Sequence, residues 1–130
     1  MTGVQTCALP ISAELATEGY DVALINPRFI KPMDAGVTEF FGTAAEVIVT
    51  MEDHVLMGGY GSAVLEFFNE KRIHTPVIQI GWPDQFIEHA STVEELRSKY
   101  GLTAENTVAK VRAEFANAVA DSQSIVAQFR

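Results

Sequence analysis

The chain has 130 residues, of which 48% are hydrophobic, and a formal net charge of −8 at pH 7. This length can build one hydrophobic core, so we expect a single globular domain. The acidic balance argues against a nucleic-acid partner or an anionic membrane surface, because both require clustered lysine and arginine. No apolar run reaches the ~18 residues of a membrane helix. The single cysteine, Cys7, excludes an internal disulfide and favours a cytoplasmic setting.

Residues 1–12 are predicted to lie outside the fold. The stretch MTGVQTCALPIS lacks a basic region and is interrupted by Pro10, so it fits neither a secretory signal nor a regular helix or strand. We therefore expect a leader that is non-native or disordered. The predicted domain covers 13–120, followed by a helical or frayed tail at 121–130. It opens inside a helix that Gly19 closes.

A first strand is predicted at 21–26, where the letters DVALIN form a short apolar run. Such a run is typical of a strand that is covered on both faces. Pro27 and Pro32 then bracket an extended connection, because proline and the residue before it disfavour helix. Asp34 is predicted to cap the next helix, which stops at Gly42.

Strands and helices alternate through the rest of the chain. Residues 47–51 and 77–80 predict two further strands, separated by a helix over 62–71. This alternation indicates an α/β fold with three layers and a mostly parallel sheet. Since the chain opens inside a helix with no strand before it, the fold is expected to lack its first strand.

Capping signals place two helices near the C-terminus. Ser91, with Glu94 three residues later, is a capping-box pattern for a helix that stops at Gly101. Thr103 can cap a final helix. The apolar face predicted for that helix comprises Val108, Val111, Phe115 and Val119.

Three polar side chains, Glu52, Asp53 and His54, come directly after the predicted strand at 47–51. At the carboxyl end of a parallel strand they could serve in acid–base chemistry, or they could hydrogen-bond the loop and cap the next helix. A metal site is disfavoured, since adjacent residues of an extended chain point to opposite sides and no HxxxH or CxxC spacing accompanies them. We therefore predict no catalytic residue and no metal ligand.

A glycine-rich loop with the letters GGYGS follows this triplet and precedes a helix; its glycines are Gly58, Gly59 and Gly61. Amides at a helix N-terminus can cradle an anion, but the loop matches neither GxGxxG nor GxxxxGK[ST]. Close packing of strand, loop and helix explains the same glycines. Asp84 and His89 lie in a second irregular segment, and such loops often contact a neighbouring site or subunit.

Three blocks of sequence together resemble the C-terminal, transketolase-like domain of 1-deoxy-D-xylulose-5-phosphate synthase. They are DVALINPRFIKPMD at 21–34, VTMEDHVLMGGYGSAVLEF at 49–67 and IGWPDQFIEHASTVEELRSKYGLTAE at 80–105. Their order and spacing favour this synthase over transketolase itself and over the β subunits of 2-oxoacid dehydrogenases, which share the domain more loosely.

The resemblance implies a parent transferase that condenses pyruvate with glyceraldehyde 3-phosphate and releases carbon dioxide, in isoprenoid, thiamine and pyridoxal precursor synthesis. It also implies that thiamine diphosphate and Mg2+ are bound by the two preceding domains. This chain alone would then be an inactive fragment without either cofactor. Glu52, Asp53, His54, the glycine loop, Asp84 and His89 would form an edge that faces the preceding domains or the second subunit of a homodimer.

Two alternatives remain open. One is a free-standing C-terminal subunit of a transketolase-like or 2-oxoacid dehydrogenase-like enzyme, because some relatives divide their domains over separate chains. The other is an anion-binding module that uses the GGYGS loop. If the chain is a fragment without its first strand, it should expose apolar surface and self-associate.

Overall fold

The computed structural model describes the backbone of residues 3–121 and the side chains of residues 8–117. Its elements in chain order are α1 (Gly3–Thr17), α2 (Ala35–Ala44), β1 (Ile48–Val55), α3 (Tyr60–Lys71), β2 (Val77–Trp82), α4 (Val93–Tyr100) and α5 (Ala104–Asp121). No helix within the described range is both long and apolar enough to cross a membrane. The predicted tail falls outside that range beyond residue 121.

The two strands form a parallel pair, with Ile48 opposite Val77 and Met51 opposite Ile80. Parallel strands require a crossover connection, and here α3 supplies it. The predicted α/β fold with a parallel sheet is thus confirmed. Among the described residues the sheet has only these two strands, so the outer edge of each is without a ladder partner.

The core lies between the sheet and the two longest helices. Its buried cluster consists of Ile11, Leu15, Val47, Val108, Val111 and Phe115. Burying an aliphatic or aromatic side chain of this size stabilises a fold by roughly 1.5–3 kcal/mol relative to exposure. The apolar face predicted for α5 is confirmed as far as Phe115, and the side chain of Val119 lies outside the described set.

The prediction that residues up to 12 form no regular structure is wrong over 3–12. Helix α1 begins at Gly3 and continues through Pro10. Its Ile11 and Leu15, four residues apart, are 6% and 3% exposed, in the cluster with residues of α5. Tertiary packing of this face outweighs the loss of one helical hydrogen bond at proline. Whether the leader is native to the domain stays a prediction.

The prediction of a strand at 21–26 is also wrong. These residues are in neither a helix nor a strand, and most of them are exposed. Val22 packs against the core cluster, whereas Leu24 and Ile25 are 52% and 40% exposed. An apolar run predicts a strand only where a neighbouring strand can take up its backbone hydrogen bonds, and β1 pairs only with β2 among the described residues.

Helix α2 is capped as predicted but ends later. The Asp34 carboxylate accepts a hydrogen bond from the Val37 amide at 3.0 Å. Gly42, predicted to stop the helix, lies inside it and is buried. A Cβ at this position would come within 2.7 Å of the Phe68 ring, so the glycine permits close packing of α2 on α3.

Other boundaries also differ from the sequence prediction: α3 begins at Tyr60 and not at 62, and β2 ends at Trp82 and not at 80. The capping box of α4 uses Thr92 and Glu95, one residue after the predicted pair. The Glu95 amide donates a hydrogen bond to the Thr92 hydroxyl, and the Thr92 amide donates one to the Glu95 carboxylate. Gly101 ends α4 with φ 76, as predicted. Strand β1 continues to Val55, which places the acidic–histidine triplet inside the strand.

Candidate functional site

Glu52 joins β1 to the first turn of α3. Its carboxylate accepts hydrogen bonds from the Tyr60 amide at 2.7 Å and from the Gly61 amide at 3.0 Å. The register of the sheet shifts between Met51 and Val55, the stretch that contains Glu52. Free amides and the helix dipole make a helix N-terminus attractive to an anion, and here the chain's own carboxylate takes that place. An external anion would have to displace Glu52.

The glycines of the GGYGS loop have separate structural reasons. Gly58 has φ +74, a left-handed conformation that side chains rarely adopt. A Cβ on Gly59 would lie 2.7 Å from the Val55 carbonyl oxygen, and one on Gly61 would lie 2.6 Å from the Thr50 hydroxyl. The loop is closed by Ser62, whose hydroxyl donates to the Leu56 carbonyl at 2.8 Å. Close approach of strand, loop and helix explains these glycines.

A pair of buried polar atoms lies beneath Gly61. Thr50 and Gln79 are opposite each other on β1 and β2. Within the described part of the chain, neither the Thr50 hydroxyl nor the side-chain nitrogen of Gln79 has a hydrogen-bond partner, although both atoms are buried. An unpaired buried polar group costs about 1–3 kcal/mol. This pair is therefore a weak point in the layer between the sheet and α3.

Asp53 points to the other side of β1 and connects both strands to α4. Its carboxylate accepts from the Trp82 indole nitrogen at 2.7 Å and from the Arg97 guanidinium at 2.9 Å. The Arg97 side chain is 21% exposed and that of Asp53 is 45% exposed, so the pair is partly shielded from water. The Trp82 ring also meets the Tyr100 ring edge-to-face, with centroids 6.0 Å apart. These contacts hold α4 against the sheet.

His54 is exposed at the same end of β1, and its Nδ1 lies 2.8 Å from the Val55 carbonyl oxygen. It makes no hydrogen bond with the side chains of Glu52 or Asp53. The three residues predicted at the carboxyl end of the strand therefore have three separate environments: Glu52 caps α3, Asp53 holds α4, and His54 faces solvent.

The loop after β2 is tied to α4 by Glu88. Its carboxylate is ion-paired with Lys99 and accepts a hydrogen bond from the Tyr100 hydroxyl at 2.6 Å. These two donors lower the pKa of Glu88 to about 2 from 4.5. Asp84 and His89 lie in the same loop and are exposed, and they make no hydrogen bond or ion pair with described residues.

Sequence reasoning missed the residues that organise this edge: Trp82, Glu88, Arg97, Lys99 and Tyr100. Asp53 and Arg97 are 44 positions apart, so no local spacing connects them. The capping-box pattern placed a helix after the loop, and that helix carries Arg97. The sequence therefore indicated where α4 lies, but it did not indicate which α4 side chain contacts β1.

Burial raises the pKa of the Tyr60 phenol at the start of α3, and the nearby charge of Asp34 adds to the effect, while a hydrogen bond with Thr38 opposes it. Tyr60 therefore stays neutral over the physiological range. It provides a neutral contact between α3 and the N-terminal end of α2 and no charge for ligand binding.

The described residues do not fit thiamine diphosphate or its metal ion. No group of three or more histidine, cysteine, aspartate or glutamate residues in the described part of the chain could hold a metal ion. The α3 amides that could receive a diphosphate are hydrogen-bonded to Glu52. The polar groups of these loops make structural contacts within the domain.

The parallel sheet, its helices and the hydrogen-bonded loops at its carboxyl end define an α/β domain. The chain belongs to the transketolase C-terminal domain family, described as "Transketolase, C-terminal domain", which matches residues 3–107.

Two curated relatives refine this assignment. The chain is 48% identical over 101 residues to 1-deoxy-D-xylulose-5-phosphate synthase of Acidobacterium capsulatum, covering 78% of this chain and 16% of the relative. It is 50% identical over 98 residues to the synthase of Methylacidiphilum infernorum, covering 75% of this chain and 15% of the relative. The chain thus spans about a sixth of the length of these relatives, and the resemblance to this synthase is confirmed.

A solved structure supports the fold. The chain described as "Split gene transketolase, inactive beta4 tetramer" superposes with a TM-score of 0.75 at 35% identity. The match covers 83% of this chain and 35% of that chain.

Proposed function

We propose that this chain is the C-terminal part of a thiamine-diphosphate-dependent 1-deoxy-D-xylulose-5-phosphate synthase. The parent enzyme would convert pyruvate and glyceraldehyde 3-phosphate to 1-deoxy-D-xylulose 5-phosphate and carbon dioxide. Identities of 48% and 50% to two such synthases support the proposal. The parent would act in the cytoplasm as a homodimer.

The role proposed for this part is to position neighbouring domains. The observation that carries it is the pair of hydrogen bonds that two α3 amides donate to Glu52. Because these bonds occupy both oxygens of the Glu52 carboxylate, the side chain has a structural role. Asp53 is likewise engaged with Trp82 and Arg97. The loops that these residues hold present exposed groups, including Phe86 and Met57, for contact with the preceding domains or a second subunit. Thiamine diphosphate and Mg2+ would be bound by those preceding domains.

A free-standing subunit is the second candidate. It is favoured by one observation, the similarity to a chain described as part of a split-gene transketolase. An independent anion-binding module is less well supported, because the α3 amides that could bind an anion already donate hydrogen bonds to Glu52. Calorimetric titration of the chain with inorganic phosphate tests the anion-binding hypothesis, and saturable binding would support it.

The proposed function is tested by reconstitution. The Acidobacterium capsulatum synthase, expressed without the 101 residues that align with this chain, is mixed with the purified chain. Formation of 1-deoxy-D-xylulose 5-phosphate is expected only in the mixture. Failure of the mixture to exceed the truncated synthase, or turnover by this chain alone, would contradict the proposal.

A matched pair of variants locates the contact. Asp53→Lys should lower reconstituted activity about tenfold, because it loses the Arg97 ion pair and places a cation at the edge. Glu70→Lys makes the same change in charge on the exposed side of α3 and should leave activity unchanged. Equal effects of the two variants would show that net charge, and not the edge, determines assembly.

A further inference from the structure

The loop after β2 carries the most exposed large apolar side chain among the described residues. Phe86 is 104% exposed, so its ring is as open to water as in an extended peptide, and the next such residue, Phe29, is 70% exposed. An aromatic ring has a large apolar area and few rotatable bonds to order, so it gains much from entering an apolar pocket. Phe86 is therefore the side chain of this edge with the most to gain from a partner.

One hydroxyl group holds the loop on both sides of Phe86. The Gln85 side-chain amide donates a hydrogen bond to the Tyr100 hydroxyl at 3.0 Å, and this hydroxyl donates to the Glu88 carboxylate at 2.6 Å. The backbone amide of Gln85 also donates to the Pro83 carbonyl at 2.8 Å. The residue before Phe86 and the second residue after it are thus both attached to α4.

Tyr100 is itself fixed relative to the sheet. It is the last residue of α4, and its ring meets the Trp82 ring edge-to-face with centroids 6.0 Å apart. The Arg97–Asp53 ion pair joins the same helix to β1. A loop that is ordered before binding loses less conformational entropy when it binds. An exposed aromatic ring on an ordered loop is the arrangement of a binding hot spot.

Charge indicates the chemistry of the partner. Glu88 is paired with Lys99, whereas Asp84, two residues before Phe86, makes no hydrogen bond or ion pair with described residues. A two-fold contact between copies through Phe86 would bring two Asp84 carboxylates together in a chain with a net charge of −8. An apolar pocket with a basic side chain at its rim fits better. Most of each synthase relative lies outside the region that aligns with this chain and can supply such a pocket.

We propose that Phe86 is the principal anchor of this chain in an apolar, basic-rimmed pocket on the rest of the synthase, and that Tyr100 positions it. The inference rests on the proposed function and deepens it, because it assigns the contact to one side chain. Met57 lies at the same edge and is 67% exposed. It is a minor contact, since its unbranched side chain has more rotatable bonds to order.

The affinity of the chain for the truncated Acidobacterium capsulatum synthase tests the anchor. Phe86→Ala should raise the dissociation constant about 30-fold, as the loss of a hot-spot side chain does. Met57→Ala should raise it less than about threefold. Phe40→Ala is the matched control, because Phe40 is 64% exposed on α2, and it should bind as the wild type does. Circular dichroism must show the same helix content in all four proteins.

A double-mutant cycle tests the positioning role of Tyr100. Tyr100→Phe keeps the ring that contacts Trp82 and removes the hydroxyl, so it should weaken binding about fivefold. In the Phe86→Ala background it should have no further effect, whereas a merely structural role would weaken binding equally in both backgrounds. In the chain alone, Tyr100→Phe should speed hydrogen–deuterium exchange at 85–88.

The outcomes separate this inference from the proposed function. A wild-type complex that Phe86→Ala leaves equally tight would overturn the anchor while the proposed function stands. Equal effects of Tyr100→Phe in both backgrounds would overturn the positioning role. If the wild-type chain forms no complex and restores no activity, both proposals fail. A dimer of the purified chain that Phe86→Ala dissociates would assign the ring to a second copy and contradict the inference.

Discussion

At the scale of single residues, Glu52 determines how the sheet meets α3. Its carboxylate, on β1, accepts hydrogen bonds from two backbone amides of α3. These charged hydrogen bonds stabilise the domain more than a local cap does, because they also fix the position of the strand relative to the helix. The glycines nearby are required by the same closeness, since a Cβ on Gly59 would collide with this carboxylate. The edge is therefore built around one charged hydrogen-bond acceptor.

Glu52→Ala should destabilise the domain by about 2 kcal/mol, because two amides at a helix N-terminus lose a charged acceptor. Urea unfolding followed by circular dichroism measures the change. Glu66→Ala, the same substitution on the exposed face of α3, should stay within about 0.5 kcal/mol of the wild type. Equal losses in the two variants would refute the structural role of Glu52.

The unpaired Thr50 hydroxyl leads to the opposite expectation. Thr50→Val keeps the shape and removes a buried hydroxyl that has no partner among the described residues, so stability should be unchanged or should rise by about 1 kcal/mol. Thr107→Val is the matched control, since Thr107 is also buried but its hydroxyl donates to the Thr103 carbonyl at 2.9 Å. The control should lose about 1 kcal/mol. A loss at Thr50 as large as at Thr107 would reveal a partner for its hydroxyl.

At the scale of elements, local signals were sufficient for the Asp34 and Gly101 caps and insufficient for the part of α1 before residue 13 and for strand pairing. Asp34 and Gly101 act as caps because their effects depend only on adjacent backbone, and both were predictable. The run at 21–26 has the composition of a strand, yet strand formation depends on a partner that the composition does not specify. The same limit applies to Asp53, whose partner Arg97 is distant in sequence.

The attachment of α4 to the preceding loop should depend on pH. The pKa of Glu88 is lowered to about 2 from 4.5 by its donors Lys99 and Tyr100. Because the folded state holds the lowered value, the stabilisation is present above pH 4.5 and is lost as the pH falls toward 2. The difference in the free energy of unfolding between wild type and Glu88→Gln should therefore shrink over that range.

This dependence should also weaken in high salt, because the pair is at the surface. Unfolding curves collected from pH 6 to pH 2 at two ionic strengths measure both effects. A difference between the two proteins that is constant with pH would contradict the assignment of Glu88 to this ion pair.

At the scale of the whole molecule, the chain is an α/β domain whose polar groups at the carboxyl end of the sheet hold its own loops. It spans about a sixth of the synthases that it resembles. Its membership in the transketolase C-terminal family could be predicted from three blocks of sequence, whereas the internal use of Glu52 and Asp53 required their contacts. The central claim is that these loops form an edge which faces the rest of the enzyme.

Hydrogen–deuterium exchange of the chain, alone and mixed with the truncated Acidobacterium capsulatum synthase, tests this claim most directly. Amides at 52–62 and 83–92 should exchange more slowly in the mixture, while those at 104–117 of α5 should be unchanged. Protection confined to other parts of the chain, or no protection in a mixture that forms a complex, would contradict the account.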